Sequence, residues 1–130
     1  MKHTAIAAIS LLLTAAPAFA HHPFDTEFDA KAPITINGTV KLLDWRGPHV
    51  IIHVDAKDDQ GQTKTWDLET ASPEEMTTMG WTPTMLKTGD QVVVQGYRAK
   101  SEATVVSART IQIPGGKKMM SAGDDGGPKA

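Results

Sequence analysis

SPEEMTTMGWTPTMLKTGD, residues 72–90, is the stretch on which the fold turns. Ser72 is a good helix N-cap, Pro73 suits the first helical position, and Glu75 stands where a capping box needs an acid. Gly80 is a natural helix stop. Thr82-Pro83 starts a second short helical turn that ends before Gly89. On both sides of this interlude the period of apolar residues drops to two, the mark of strands.

Upstream, ITINGTVKLLDW (34–45) alternates apolar and polar residues, with Gly38 as a bulge or bend. Arg46-Gly47-Pro48 is a turn. HVIIHVDA (49–56) puts Val50, Ile52 and Val54 on one face, and His49, Ile51, His53 and Asp55 on the other. KDDQGQ (57–62) is a polar hairpin turn. TKTWDLE (63–69) is a third strand with Trp66 and Leu68 on one face. Downstream, QVVVQGYRAK (91–100) and ATVVSARTIQI (103–113) are two more strands, joined near Ser101-Glu102. The order predicts a mainly all-β domain over residues 34–113. The expected form is a small five-stranded OB-like β-barrel with one or two short helices between strands 3 and 4. An open five-stranded sheet with one helix across it is the competing arrangement.

Residues 21–33 read as an N-terminal arm rather than a strand, with Phe24 and Phe28 plugging one end of the core. Residues 114–130 (PGGKKMMSAGDDGGPKA) are rich in glycine and polar residues, lack an apolar period, and are expected to be a disordered tail.

Residues 1–20 (MKHTAIAAISLLLTAAPAFA) have a basic start, a short apolar run and small residues at Ala18 and Ala20. This is the pattern of a signal peptide cut after Ala20, and it predicts a periplasmic or secreted protein. The run is short of the roughly 20 apolar residues that a membrane span needs, so a retained anchor is the lesser alternative. Loss of Lys2 leaves 12 basic residues against 15 acidic ones, a formal charge of −3. That balance offers nothing to a nucleic acid, and no basic amphipathic stretch suggests a membrane surface for the mature chain. The absence of cysteine excludes disulfides, thiol catalysis and thiolate metal sites.

An ordered set of residues carries a family resemblance: His21-His22, Phe28-Asp29, Gly38-Thr39-Val40, Trp45, Pro48-His49, Trp66, Glu69, Ser72-Pro73, Gly80-Trp81, Leu86, Gly89-Asp90 and Gly96. The chain resembles a family of small exported bacterial proteins catalogued as a domain of unknown function. The shared signature is a post-signal His-His pair, Trp-x-x-Pro-His, Trp-x-x-Glu and Gly-Trp. Trp45-Arg46-Gly47-Pro48-His49 departs from it at Gly47, where Asn is more usual, which touches the turn and not the histidine. The resemblance implies export and a small β-barrel and carries no activity with it.

The chemistry must come from the residues. Cleavage after Ala20 makes His21 the first residue, with a free amine beside its imidazole. An α-amino group has an ordinary pKa of about 7.7–8.0 and is partly neutral near pH 7. Amine and Nδ1 close a chelate ring, and a histidine from the fold would complete three nitrogens. Such nitrogens suit Cu(II), with zinc second. Pro23 lacks an amide N–H, so a terminal motif built on deprotonated amides is absent. His49 is the better third ligand. His53 lies about 13 Å further along the same face, so one ion would use one or the other. Glu69 or Asp25 would add a carboxylate. The opposing reading makes His21 and His22 a polar end, His49 a turn cap and His53 a solvated side chain. Trp45, Trp66 and Trp81 offer stacking faces or core packing, and packing is favoured. Met119-Met120 would suit Cu(I), although a disordered tail argues against it.

Three functions follow as expectations: a non-catalytic copper-binding protein using His21, His49 and Glu69; an OB-type module binding a small molecule or protein partner on the barrel face around Trp45, His49 and Glu69, with His22, His53 and Trp66 as further binding residues; or a copper oxidoreductase using the same ligands as the first. No Ser-His-Asp spacing, phosphate loop or paired-carboxylate signature is visible.

Overall fold

The computed structural model describes residues 23–129. The expected signal peptide, its cleavage point, His21 and His22 lie outside the described residues. No described helix is long and apolar enough to cross a membrane.

The protein is mainly β. One short helix, α1 (Phe24–Glu27), leads into β1 (Phe28–Asp44), followed by β2 (Ile51–Lys57) and β3 (Thr63–Glu69). Helix α2 (Pro73–Thr78) separates these from β4 (Gln91–Ala99), β5 (Val105–Gln112) and β6 (Lys118–Met120). The six strands form one sheet in the order β3-β2-β1-β4-β5-β6. Neighbours in that order are antiparallel, while β3 also pairs with β5 in parallel, Leu68 opposite Val106.

The helical interlude is built as its residues require. The Ser72 side chain accepts a hydrogen bond from the Glu75 N–H, and the Glu75 carboxylate accepts one from the Ser72 N–H, a complete capping box with Pro73 in the first turn. Gly80 follows with φ +93°, a conformation that favours glycine. The second helical turn expected at Thr82-Pro83 is a single hydrogen-bonded turn, in which the Met85 N–H donates to the Thr82 carbonyl at 3.2 Å. Trp81, buried behind it, donates its indole N–H to the Met120 carbonyl at 2.8 Å.

The hairpin turn at 57–62 is held by Asp58. Its carboxylate accepts from the N–H groups of Gln60 and Gln62 at 2.9 and 2.8 Å, a local alternative to ladder bonds. The core alternates as the period of two demands in Ile52 and Val54 from β2, Trp66 and Leu68 from β3, and Val92 and Val94 from β4; β5 adds Val106, Ala108 and Ile111, its period broken at Arg109 where its register with β4 shifts. Met76, Trp81 and Leu86 from the interlude pack into the same core.

Three expectations need correction. The arm is not confined to irregular chain, because β1 begins at Phe28, six residues before Ile34. Its first half pairs with β4 and its second half with β2, so the long strand serves both neighbours. Gly38 does not carry the bulge, since the register shift on the β2 side lies between Val40 and Leu42. Gly38 is instead a close approach: a Cβ there would stand 3.1 Å from the Val54 side chain. The tail at 114–130 is not disordered through residues 118–125. Thr110, Ile111 and Gln112 of β5 pair with Met120, Met119 and Lys118 of β6. Met119 and Ser121 are buried, and Asp125 forms a double ion pair with Arg109. Burial of Met119 and pairing of a buried cation offset the ordering entropy that a polar tail otherwise leaves unopposed.

Candidate functional site

His49 lies just ahead of β2, after the Gly47–Pro48 bend, whose peptide is cis. The chain on either side is pinned to the segment that follows β3: the Val50 N–H donates to the Ala71 carbonyl at 2.9 Å, and the Thr70 N–H donates to Val50 at 3.0 Å. Against this fixed frame, His49 Nδ1 lies 2.8 Å from the Thr70 carbonyl oxygen. A carbonyl only accepts, so Nδ1 carries a hydrogen and donates it. Nε2 faces Glu69 Oε1 at 3.6 Å, with the two side chains 39% and 23% exposed. One metal ion at about 2.0–2.2 Å from each atom spans that gap. A histidine whose second nitrogen donates to a backbone carbonyl is in the state that metal ligands take.

The two side chains line a small cavity together with Glu75, Asp124 and Asp125. Glu75 is spent on the capping box and Asp125 on Arg109. Burial pushes the Asp125 carboxyl up, but hydrogen bonds from Arg109 and the Gly127 N–H outweigh it and hold the group below its ordinary value of 3.8. Among the described residues, no group of three or more His, Asp or Glu side chains is placed to hold a metal ion. The described chain thus brings together two of the expected ligands, His49 and Glu69, while the third expected ligand, His21, lies outside the described residues.

The other expected residues are dispersed. His53 pairs with its cross-strand neighbour Asp67, Nδ1 to Oδ1 at 2.7 Å, and lines a separate cleft of about 410 Å³ on the outer face of β2 and β3. Glu69 borders both spaces. Trp45 is half-buried and packs against the core. Trp66 is 2% exposed and donates its indole N–H to the Ala56 carbonyl at 3.3 Å, so it packs the core and has no face left for a stacking ligand. Asp25 belongs to α1 and is exposed. Met119 is in the core while Met120 is 53% exposed, so the two sulfurs do not converge.

Sequence reasoning missed Thr70, Arg109, Ser121 and Asp125. For Arg109 a signal existed: it is the one charged residue in ATVVSARTIQI, and a charge in an apolar strand requires a partner. It is 4% exposed, and its guanidinium carbon lies 4.5 Å from the centre of the Phe24 ring.

A small mainly β protein with an ordered His–carboxylate pair at one end of a hairpin is thus defined. The chain belongs to a family described as "Family of unknown function (DUF6152)", matched over residues 8–107. No curated protein and no solved structure matches it.

Proposed function

We propose that this is an exported, non-catalytic metal-binding protein of the periplasm or extracellular space, with copper preferred and zinc second. After cleavage behind Ala20, the His21 amine and imidazole would supply two nitrogens, His49 Nε2 a third and Glu69 an oxygen. The fold reading that accompanies this is an OB-type barrel. Its support is the ring of pairings β1 to β2, β2 to β3, β3 to β5, β5 to β4 and β4 to β1, with α2 between the third and fourth strands.

One observation carries the metal reading. The Phe24 N–H donates to the Asp125 carbonyl at 2.9 Å, and Asp125 lines the cavity of His49 and Glu69. The described chain therefore begins beside a residue that lines that cavity, and three residues of extended chain reach about 10 Å. The test is titration of Cu(II) into processed protein, with mass spectrometry identifying His21 as residue one. Tight one-to-one binding that weakens sharply in His49→Ala, and in a chain with one alanine added before His21, is the expected result. Binding indifferent to the added alanine removes the amine from the site and ends this reading.

A second reading has its own observation. The 410 Å³ cleft, walled by Phe28, His53, Asp67, Glu102 and Val105, lies on the strand face and beside the β4–β5 loop that OB-type modules use for ligands. It would make the protein a binding module without metal. Its carboxylates disfavour an anionic ligand.

A further inference from the structure

We propose a further binding site, independent of the metal reading: a pocket on the outer face of β1, β4 and β5 that takes a small organic carboxylate with an apolar body. The pocket measures about 470 Å³, within the range of small-molecule sites. A break in the strand period builds it. Gln95 pairs with Thr110, but its neighbour Gly96 pairs with Ala108, so Arg109 is the extra residue of a β-bulge. Ala108 and Ile111 belong to the core, and the two consecutive side chains between them, Arg109 and Thr110, both line the pocket. A regular strand would have turned one of the two inward.

The charge of the pocket runs against that of the chain. The sequence carries 13 basic residues against 15 acidic ones, and the cleft at His53 is lined by Glu27, Asp44, Asp67, Glu69 and Glu102. Among the described residues that line this pocket, Arg109, Lys118 and Lys129 are cations and none is Asp or Glu. Asp125 compensates Arg109, and Asp124 lies 3.3 Å from Lys129. Lys118 is exposed and pairs with no carboxylate among the described residues, so one cation is left over. That surplus fits a monoanion better than a phosphate group, which carries about two charges at pH 7.

Neutral donors accompany Lys118. The Thr110 hydroxyl donates to Gln95 Oε1 at 3.2 Å, which leaves the Gln95 amide N–H groups for a ligand. Arg109 is 4% exposed, and its buried Nε–H meets no acceptor among the described residues. Native structures keep few such donors, and this one belongs to a residue of the pocket wall. Pro33, Ile34 and Tyr97 supply apolar surface, with the Tyr97 ring set edge-on to Phe24 at 5.7 Å between centroids. A cation and amide donors beside ring and aliphatic surface match a carboxylate on an apolar body.

The experiment titrates the full-length secreted protein with benzoate, benzamide and benzamidine, an anion, a neutral amide and a cation on the same ring, and with inorganic phosphate. NMR shifts at Gln95, Tyr97, Thr110 and Lys118 report binding. Benzoate is expected to saturate there and to bind at least ~tenfold more tightly than benzamide, with benzamidine and phosphate weaker still. Lys118→Gln should weaken benzoate ~tenfold and leave benzamide unchanged. Thr35 is exposed and stands opposite Gln95, so Thr35→Glu sets a carboxylate on the wall, and benzamidine should then bind more tightly than benzoate. Benzamide binding as tightly as benzoate, or benzoate unmoved by both variants, would remove the carboxylate from the site. Phosphate binding more tightly than benzoate would overturn the apolar-bodied ligand, and shifts centred elsewhere would overturn the pocket itself. No readout involves the expected metal ligands, so the result stands whatever the Cu(II) titration gives.

Discussion

Two histidines stand four residues apart beside the same pair of strands, and each has a carboxylate from β3 near it. His53 gives its Nδ1 to Asp67 at 2.7 Å, whereas His49 gives its Nδ1 to a backbone carbonyl and keeps Glu69 on the other side of the ring at 3.6 Å. A carboxylate on Nδ1 takes that nitrogen's hydrogen bond and spends the acid on it. A backbone carbonyl on Nδ1 orients the ring and leaves Nε2 and Glu69 Oε1 facing one gap. The surroundings differ in the same sense. Tail residues Asp124 and Asp125 line the small cavity of His49, while His53 lines a larger cleft that carboxylates border. Proximity of a histidine to an acid is therefore a poor guide to function. What matters is which ring nitrogen the acid meets.

Metal affinity should separate the two most widely. His49→Ala should raise the Cu(II) Kd by more than about a hundredfold, above the ~10–100-fold typical of outer-shell changes. His53→Ala should change it less than about twofold. Equal losses in the two variants, measured by competition titration, would erase the contrast. The carboxylates should follow their histidines at smaller scale: Glu69→Gln is expected to weaken Cu(II) about tenfold, and Asp67→Asn to leave it unchanged. A loss in Asp67→Asn would mean that the cleft, and not the cavity of His49, holds the ion.

Stability should rank the pairs differently. The His53–Asp67 contact is half-exposed, with Asp67 49% open to solvent, so Asp67→Asn should cost under about 1 kcal/mol in a denaturant melt. A cost of several kcal/mol would show that the pair is structural and that its distance from the metal reading is incidental.

Much of this contrast was legible in the sequence, and the missing part has a physical cause. The capping box at Ser72 and Glu75, the hairpin at Asp58 and the alternating faces of β2 and β3 are local rules, and the chain obeys them. Local rules placed His49 beside the site and gave Glu69 as its acid. They did not place Thr70, because which backbone carbonyl an imidazole meets depends on register between segments 20 residues apart. The early start of β1 was readable, since the alternation Phe28, Ala30, Ala32, Ile34 and Ile36 runs unbroken through the presumed arm. The β5–β6 hairpin was readable too, as Pro114-Gly115-Gly116 is a turn signal between two short runs. Composition argued against both, and composition averages over a window in which one buried Met119 and one Arg109–Asp125 pair do the ordering. Trp66 erred the other way: its spacing from Glu69 suggested a site, but the period of two had already assigned it to the core face.

Acid provides the finest separation of the two regions. Asp125 has its carboxyl held below the ordinary 3.8, so its pairing with Arg109 stabilises the tail fully above that value and is lost as pH falls through the lower, folded value. Nothing in that pair titrates between pH 7 and pH 5. Any loss of Cu(II) in that interval must come from protons competing for the ligand nitrogens, with the tail still closed and the Phe24 amide still protected. As pH falls through the lowered, folded value of Asp125 the Arg109–Asp125 pair is lost, and Phe24 amide exchange, corrected for its intrinsic pH dependence, should rise there and no earlier. In Asp125→Asn that acid step should be absent. The two events, nitrogen protonation and tail release, are then distinguishable, because only the second depends on Asp125. If both occurred together in the parent, tail release would be following the metal and not the Arg109–Asp125 pair.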